Sequence, residues 1–340
     1  MSKKLRSLFI LLIGAGLAYW FVSQLEWDKV SAHLKQMRIW PLVVAALLIN
    51  LTMLARSLRW QTLLAPIAEV GLHNTFAATS IGFGSIFVFG RAGEIVRPII
   101  LSLREPVPPS ATIATILIER LFDMLTVAAI FAFNLLFFTL PANKVGDLNT
   151  LGTIHTVGVL MSVGVVVGIA VLVLLRLKAD VLIGFLERSS HLLPERLARV
   201  LLNLVRHLAD GLSVLINVRE LVKAVFYSLV VWVLVATATW MVAGAFNVDF
   251  SFSQAIFVMG FGLVGSVVPT PGGSAGAFHK AAQQGLMFLG LEPNLAAAIA
   301  IVYHLIAFGT PFIIGMIYLI RDGISFSRLR EMMAQESATV

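Results

Sequence analysis

The chain has no cysteine among its 340 residues, which excludes disulfides, thiolate metal sites and a cysteine nucleophile while leaving the redox compartment open. Charge is scarce as well: Asp, Glu, Lys and Arg together make up 13%, against roughly 25% in an ordinary soluble domain. There is no Walker loop and no HExxH helix, so neither ATP-driven pumping by this chain alone nor zincin chemistry is expected. No stretch reads as a soluble catalytic domain. The expectation is a protein without catalytic residues, resident metal or cofactor.

What the chain has in abundance is apolar sequence, 59% of all residues. That composition reads as an all-α integral membrane protein, and 340 residues accommodate six to eight spans of about 20 residues each. One polytopic membrane domain over residues 1–340 is the economical organisation. In a soluble protein the net charge of +7 would point to nucleic acid. Here the basic residues gather in a few segments and act as orientation signals, so no nucleic-acid partner is expected.

Full spans are expected over residues 8–25, 40–58, 110–140, 157–175, 224–246 and 295–320. The first follows Lys3, Lys4 and Arg6 and carries the interfacial residues Tyr19, Trp20 and Phe21; the second closes on Arg56 and Arg59. Residues 76–89 are too few to cross and are broken by Gly82, Gly84 and Gly90, while residues 252–291 hold Gly260, Gly262, Gly265, Pro269, Pro271, Gly272, Gly273 and Gly276. Helix breakers in apolar surroundings read as re-entrant hairpins, giving about six spans plus two hairpins. The basic residues lie at the two termini and within 56–104 and 176–223, which places both termini in the cytoplasm and lets the hairpins enter from opposite sides. Each hairpin opens with Gly-Phe-Gly, at Gly82 and at Gly260, as an inverted-repeat transporter would show. Residues 178–220 read as a cytoplasmic amphipathic helical segment, with Leu197, Leu201, Leu204, Leu208, Leu212 and Leu215 at helical spacing.

Three polar groups are candidates for function. Arg91, Glu94 and Arg97 stand directly behind an apolar run, where a charge costs about 2.5–3.5 kcal/mol on insertion scales and therefore faces a cavity or another charge. Glu94 and Arg97 would share a helical face. Such a group either holds a phosphate headgroup in its guanidinium forks or pins the hairpin by a salt bridge. Glu119 and Asp123, one turn apart around Arg120, are like charges on one face and need a cation, from Arg59, Arg91 or Arg97; the alternative is an interfacial anchor for the span. The third group is the Pro271, Gly272 and Gly273 turn with His279 and Lys280, joined by His304 from the last span. A broken turn frees backbone groups for a ligand, and half-helix N-termini favour anions. Lys280, in apolar surroundings, is expected to meet an anionic headgroup. His304 is a packing residue or a ligand, and two histidines without a carboxylate make a weak metal signal.

In chain order, Arg59-Trp60 with Leu63-Leu64, Arg91-Ala92-Gly93-Glu94 with Arg97, Glu119-Arg120-Leu121-Phe122-Asp123 and Pro269-Thr270-Pro271-Gly272-Gly273 resemble the flippase-like membrane superfamily. That superfamily includes the transmembrane flippase half of lysylphosphatidylglycerol synthase, the multiple peptide resistance factor, and the resemblance extends over residues 40–320. It implies transfer of a polar-headed lipid between leaflets, with Arg91, Glu94, Arg97, Glu119, Arg120, Asp123 and the Pro271-Gly272-Gly273 turn as pathway residues. The sequence departs from the family pattern at Phe89, where proline is frequent, at Phe278-His279-Lys280, where an acidic residue is frequent, and at His304, where arginine is common. Lysyl-phosphatidylglycerol is not implied as cargo. The expected function is therefore a lipid translocase of a bacterial-type inner membrane moving an anionic phospholipid or a polyprenyl-phosphate-type lipid, partnered by a second copy of itself or a lipid-synthesis enzyme. The alternatives are an intramembrane enzyme acting on a lipid phosphate through His279 or His304, and a non-transporting partner subunit.

Overall fold

The computed structural model describes residues 3–107, 109–137, 148–189, 202, 218–325, 327–329 and 331–332. Among these there is no β-strand, because a chain in lipid must satisfy its backbone groups within each segment and helices do so. The helices are α1 (Lys3–Ser23), α2 (Trp27–Gln36), α3 (Ile39–Leu64), α4 (Leu72–Phe89), α5 (Val96–Arg104), α6 (Pro109–Leu136), α7 (Leu148–Ser189), α8 (Val218–Ala245), α9 (Phe252–Ser266), α10 (Ala277–Phe288), α11 (Pro293–His304) and α12 (Thr310–Arg321). A 3-10 turn, Gly90–Ile95, joins α4 to α5, a single turn, Pro271–Ser274, separates α9 from α10, and a π-helical turn, Leu305–Gly309, joins α11 to α12.

Four stretches are long and apolar enough to cross a membrane: Ile39–Leu64, Gly152–Val171, Val218–Ala245 and Pro293–Arg321. α1 and α6, at 21 and 28 residues, also have crossing length. Every 18-residue stretch of α6 contains Glu119, Arg120 and Asp123, so its crossing depends on what neutralises those charges. The positions of the expected spans agree with these helices, with two differences. α2 is an additional short amphipathic helix that buries Val30. The second span continues to Leu64, so Arg56 and Arg59 do not close it as a basic flank; they lie inside the helix, 5% and 0% exposed. Residues 178–189 continue α7 beyond a non-helical Lys178 (φ −148°, ψ 54°), and the expected leucine face from Leu197 to Leu215 lies outside the described residues.

Hydrogen bonds between loops sort the helix ends onto two faces. On one, the Glu105 carboxylate accepts from the Gly71 backbone (3.2 Å) and the Asn74 amide (2.7 Å), and Arg104 pairs with Asp322 after α12. On the other, Asn294 exchanges hydrogen bonds with Glu26 (3.1 and 3.0 Å), and the Arg38 backbone donates to the Ala245 carbonyl (2.7 Å). The Lys29 ammonium and the Asn294 amide hold the Glu26 carboxyl below the ordinary carboxylate range. α4 and α5 thus both end on the first face, and α9 and α10 on the second: two opposed re-entrant hairpins. Their tips meet where Gly90, at φ +61°, turns beside the Thr270 carbonyl; a Cβ there would lie 3.3 Å from that oxygen.

The packing maps onto itself when the halves are exchanged. α3 packs on α8; α4 lies against α5, α3 and α12 as α9 lies against α10, α8 and α6; and α5 meets α6 as α10 meets α11. Three crossings in the first half, an odd number, leave the second half inverted. Single cysteines replacing Asp28 and Gly323, introduced into the cysteine-free chain, are expected to react with an impermeant thiol reagent from opposite sides of a sealed vesicle. Labelling of both from one side would overturn this arrangement.

Candidate functional site

The site forms where α3, α5 and α6 converge behind the first hairpin. Glu119 and Asp123 project from α6 one turn apart, and Arg59 of α3 bridges them, with Nη2 2.9 Å from Glu119 Oε1 and Nη1 2.7 Å from Asp123 Oδ1. Arg97 of α5 grips Glu119 with both Nη atoms, at 2.8 and 3.1 Å, and reaches Thr79 Oγ1 at 3.3 Å. Arg56 lies 3.3 Å from Asp123 Oδ2, and Trp232 Nε1 donates to Asp123 Oδ1 at 3.1 Å. Arg120 faces Glu119 at 3.1 Å, Asp123 at 3.6 Å and Glu94 at 3.7 Å. Four guanidinium groups therefore meet three carboxylates, leaving a surplus positive charge among the described side chains. This pairing is what allows α6 to cross, since an isolated charge in hydrocarbon would be too costly.

The Gly82-Phe83-Gly84 tripeptide explains how so many arginines fit. Phe83 lies within 6 Å of three of them, its ring centroid 4.8 Å from the Arg56 guanidinium, 5.8 Å from that of Arg97 and 5.9 Å from that of Arg120. Trp60 covers Arg97 at 4.4 Å and donates to Thr115 Oγ1 at 2.9 Å. Such faces stabilise desolvated cations. At Gly82 a Cβ would sit 2.0 Å from Arg97 Cγ, so glycine is required for Arg97 to pass; at Gly84 it would crowd the α12 backbone at Gly315.

Exposure divides the cluster. The side chains of Arg56, Arg59 and Arg97 are 7%, 0% and 2% exposed, whereas Arg120 is 28% and Glu94 21% exposed. Glu94 and Arg97 do not form the expected shared face: Glu94 sits in the 3-10 turn and approaches Arg120, while Arg97 turns inward to Glu119. Glu119, fully buried, is no interfacial anchor. Arg91's side chain lies outside the described ones. Arg56 was missed as a site residue and Arg59 was foreseen only as a cation donor, although their i, i+3 spacing on an apolar helix offered a signal.

The second candidate group forms at the other hairpin. Gly272, Gly273, Ser274 and Gly276 have φ of +75°, +64°, +62° and +82°. His304 Nε2 lies 3.0 Å from the Gly273 carbonyl, the Gly276 N–H donates to His279 Nδ1 at 3.2 Å, and the two imidazole rings lie 4.4 Å apart. Lys280 does not join the arginine cluster: its ammonium donates to Gln24 at 2.7 Å and Gln283 at 3.2 Å and covers Trp20 at 4.8 Å. The side chain of Pro271, first in the turn, lies outside the described ones. Among the described residues no three His, Asp or Glu side chains gather as a metal site.

Two letter patterns in this hairpin carry no enzyme chemistry. Gly260, Gly262 and Gly265 have dinucleotide-fold spacing, but they lie inside α9, packed on Phe131, on Phe278 with Tyr303, and on Ala277; the phosphate cradle needs a strand before it. Gly272, Ser274 and Gly276 have the spacing of a hydrolase elbow, yet the Ser274 hydroxyl is held against the Ser266 and Val268 carbonyls, at 3.0 and 2.7 Å.

Among curated proteins no match to the chain was found. Residues 7–315, reaching from α1 into α12, match the family model described as the lysylphosphatidylglycerol synthase TM region, and the chain belongs to that family of membrane proteins.

Proposed function

We propose that this protein moves an anionic, phosphate-headed lipid between the leaflets of a bacterial-type inner membrane, with both termini in the cytoplasm. The observation that carries this reading is the open edge of the arginine cluster. Arg56, Arg59 and Arg97 are used up in holding Glu119 and Asp123, whereas Arg120 is, among the described side chains of the cluster, the guanidinium that solvent, and hence a headgroup, can reach. A phosphate oxygen replacing the 3.6–3.7 Å approaches of Arg120 to Asp123 and Glu94 would gain charge-assisted hydrogen bonds and offset the surplus positive charge. A site beside opposed broken hairpins that meet at their tips would be open to feeding from either leaflet, and membership of the lysylphosphatidylglycerol synthase TM region family supports lipid handling.

On this reading Glu94 orients Arg120, the inner arginines set the position of the carboxylates, and Lys280 with its glutamine neighbours offers a second cation on the opposite hairpin. Arg120→Gln is expected to slow translocation of a fluorescent anionic phospholipid in liposomes about tenfold or more, consistent with loss of a charge-assisted contact, with chemically unchanged lipid as the product. Full activity in that variant would remove the site assignment, and altered lipid mass would favour an intramembrane enzyme instead.

A further inference from the structure

On the face where α6 ends and α9 begins lies an open groove of about 640 Å³, within the range of ligand pockets. Its walls are Phe133 of α6 and Phe137 in the turn just after it, with ring centroids 4.8 Å apart, and Phe252 and Ile256 of α9. Phe133, Phe137 and Phe252 are 66%, 67% and 38% exposed. Trp240 packs edge-on against Phe252 and donates to the Phe250 carbonyl at 2.6 Å, an interfacial tryptophan that marks headgroup depth.

The floor of this apolar groove is polar. Asn134 donates to the Ser253 carbonyl at 3.1 Å, while the Ser253 hydroxyl is buried with no hydrogen-bond partner among the described residues. Serines within helices usually return their proton to the carbonyl four residues back, as Ser57, Ser85 and Ser228 do. Ser253 sits in the first turn of α9, where no helical carbonyl precedes it. A buried hydroxyl left unpaired costs about 1–3 kcal/mol, and such a group calls for a partner.

We propose that the groove binds a lipid acyl ester, the aliphatic chain lying between the three phenylalanines and Ile256 while the Ser253 hydroxyl, turned to another staggered rotamer, donates to the ester carbonyl. The chemistry selects glycerolipids over polyprenyl phosphates, which have no ester carbonyl. It deepens the translocase reading where the bound lipid is cargo, and stands without it where the lipid is a resident of that leaflet.

Delipidated full-length protein in detergent is supplied with dimyristoyl phosphatidylglycerol, its dialkyl ether analogue or a polyprenyl monophosphate, and retained lipid is read by native mass spectrometry. Wild type is expected to retain the ester over the ether about fivefold, the fold-change of one neutral hydrogen bond. Ser253→Ala should abolish that preference. Ala129→Trp, or Ile256→Trp should the first variant not fold, fills the groove and should lower retention of both glycerolipids about tenfold through lost apolar burial. Equal retention of ester and ether by wild type, or an unchanged preference in Ser253→Ala, overturns the proposal. Translocation assays of the same variants separate the sources: slowed transport identifies cargo, and unchanged transport with lost retention identifies a resident lipid. Ester preference in a protein that translocates nothing would sink the translocase reading alone.

Discussion

Replacing Glu119 by glutamine is expected to destabilise the fold by about 3–5 kcal/mol, the cost of breaking a buried ion pair from one side. Glu119 is fully buried, and Arg59, Arg97 and Arg120 all lie within 3.1 Å of its Oε1. Glutamine keeps the shape but leaves the four arginines with two carboxylates, and among the buried Arg56, Arg59 and Arg97 solvent does little to screen the repulsion. The check is the thermal unfolding midpoint of the purified protein in detergent, alongside Arg120→Gln, which alters the open edge and should shift the midpoint far less. Equal midpoints for Glu119→Gln and wild type would show that the buried cluster does not hold α3, α5 and α6 together. Because Arg97 belongs to this inner set, its removal should lower folded yield as well as transport.

Gly93→Ala is expected to prevent the first hairpin from closing. A Cβ at Gly93 would lie 2.5 Å from the Ser85 carbonyl carbon and 2.6 Å from the Ile86 nitrogen, both backbone atoms of α4. A flexible side-chain tip could yield to it, but a helix backbone cannot, so the cost belongs at or above the upper end of the roughly 1–3 kcal/mol typical of overpacking. The displaced 3-10 turn would carry Glu94 away from Arg120, and translocation should fall with stability. Gly16→Ala serves as the control, since no atom of the described residues lies within 4 Å of a Cβ there and alanine is the better helix former. Indistinguishable unfolding midpoints for the two variants would overturn the close-approach account of Gly93.

Much of the architecture is legible in residue order. The scarcity of charge and the length of the apolar runs suffice for an all-α membrane protein, because no other open structure satisfies its backbone in lipid. Gly90, and the glycines and prolines from Pro269 to Gly276, mark the two hairpin turns, since breakers are tolerated at membrane depth only where the chain turns back inside protein. Gly82 and Gly84, expected to break the first segment, lie inside an unbroken α4 because they are needed for close packing against Arg97 and Gly315. The i, i+4 carboxylates of Glu119 and Asp123 announce a buried cation. Less legible is which cation. Arg56 and Arg59 resemble the basic flank of a span when read in one dimension, and the difference between a flank and a buried pair lies in whether the helix continues past them.

The sequence by itself determined the class, the approximate spans, the two hairpins and the need of Glu119 and Asp123 for positive partners, because these follow from local composition and from periodicities of two to four residues. Only the tertiary structure decided that Arg97 turns to Glu119 while Glu94 turns to Arg120, that Arg59 bridges both carboxylates of α6, and that Lys280 rests on Trp20 and Gln24 away from the arginines. Each of these pairings joins residues between 22 and 260 positions apart, or depends on a turn that redirects a side chain. Pairing energy falls off over a few ångströms, so it is set by how the two hairpins pack and not by the spacing of charges along the chain.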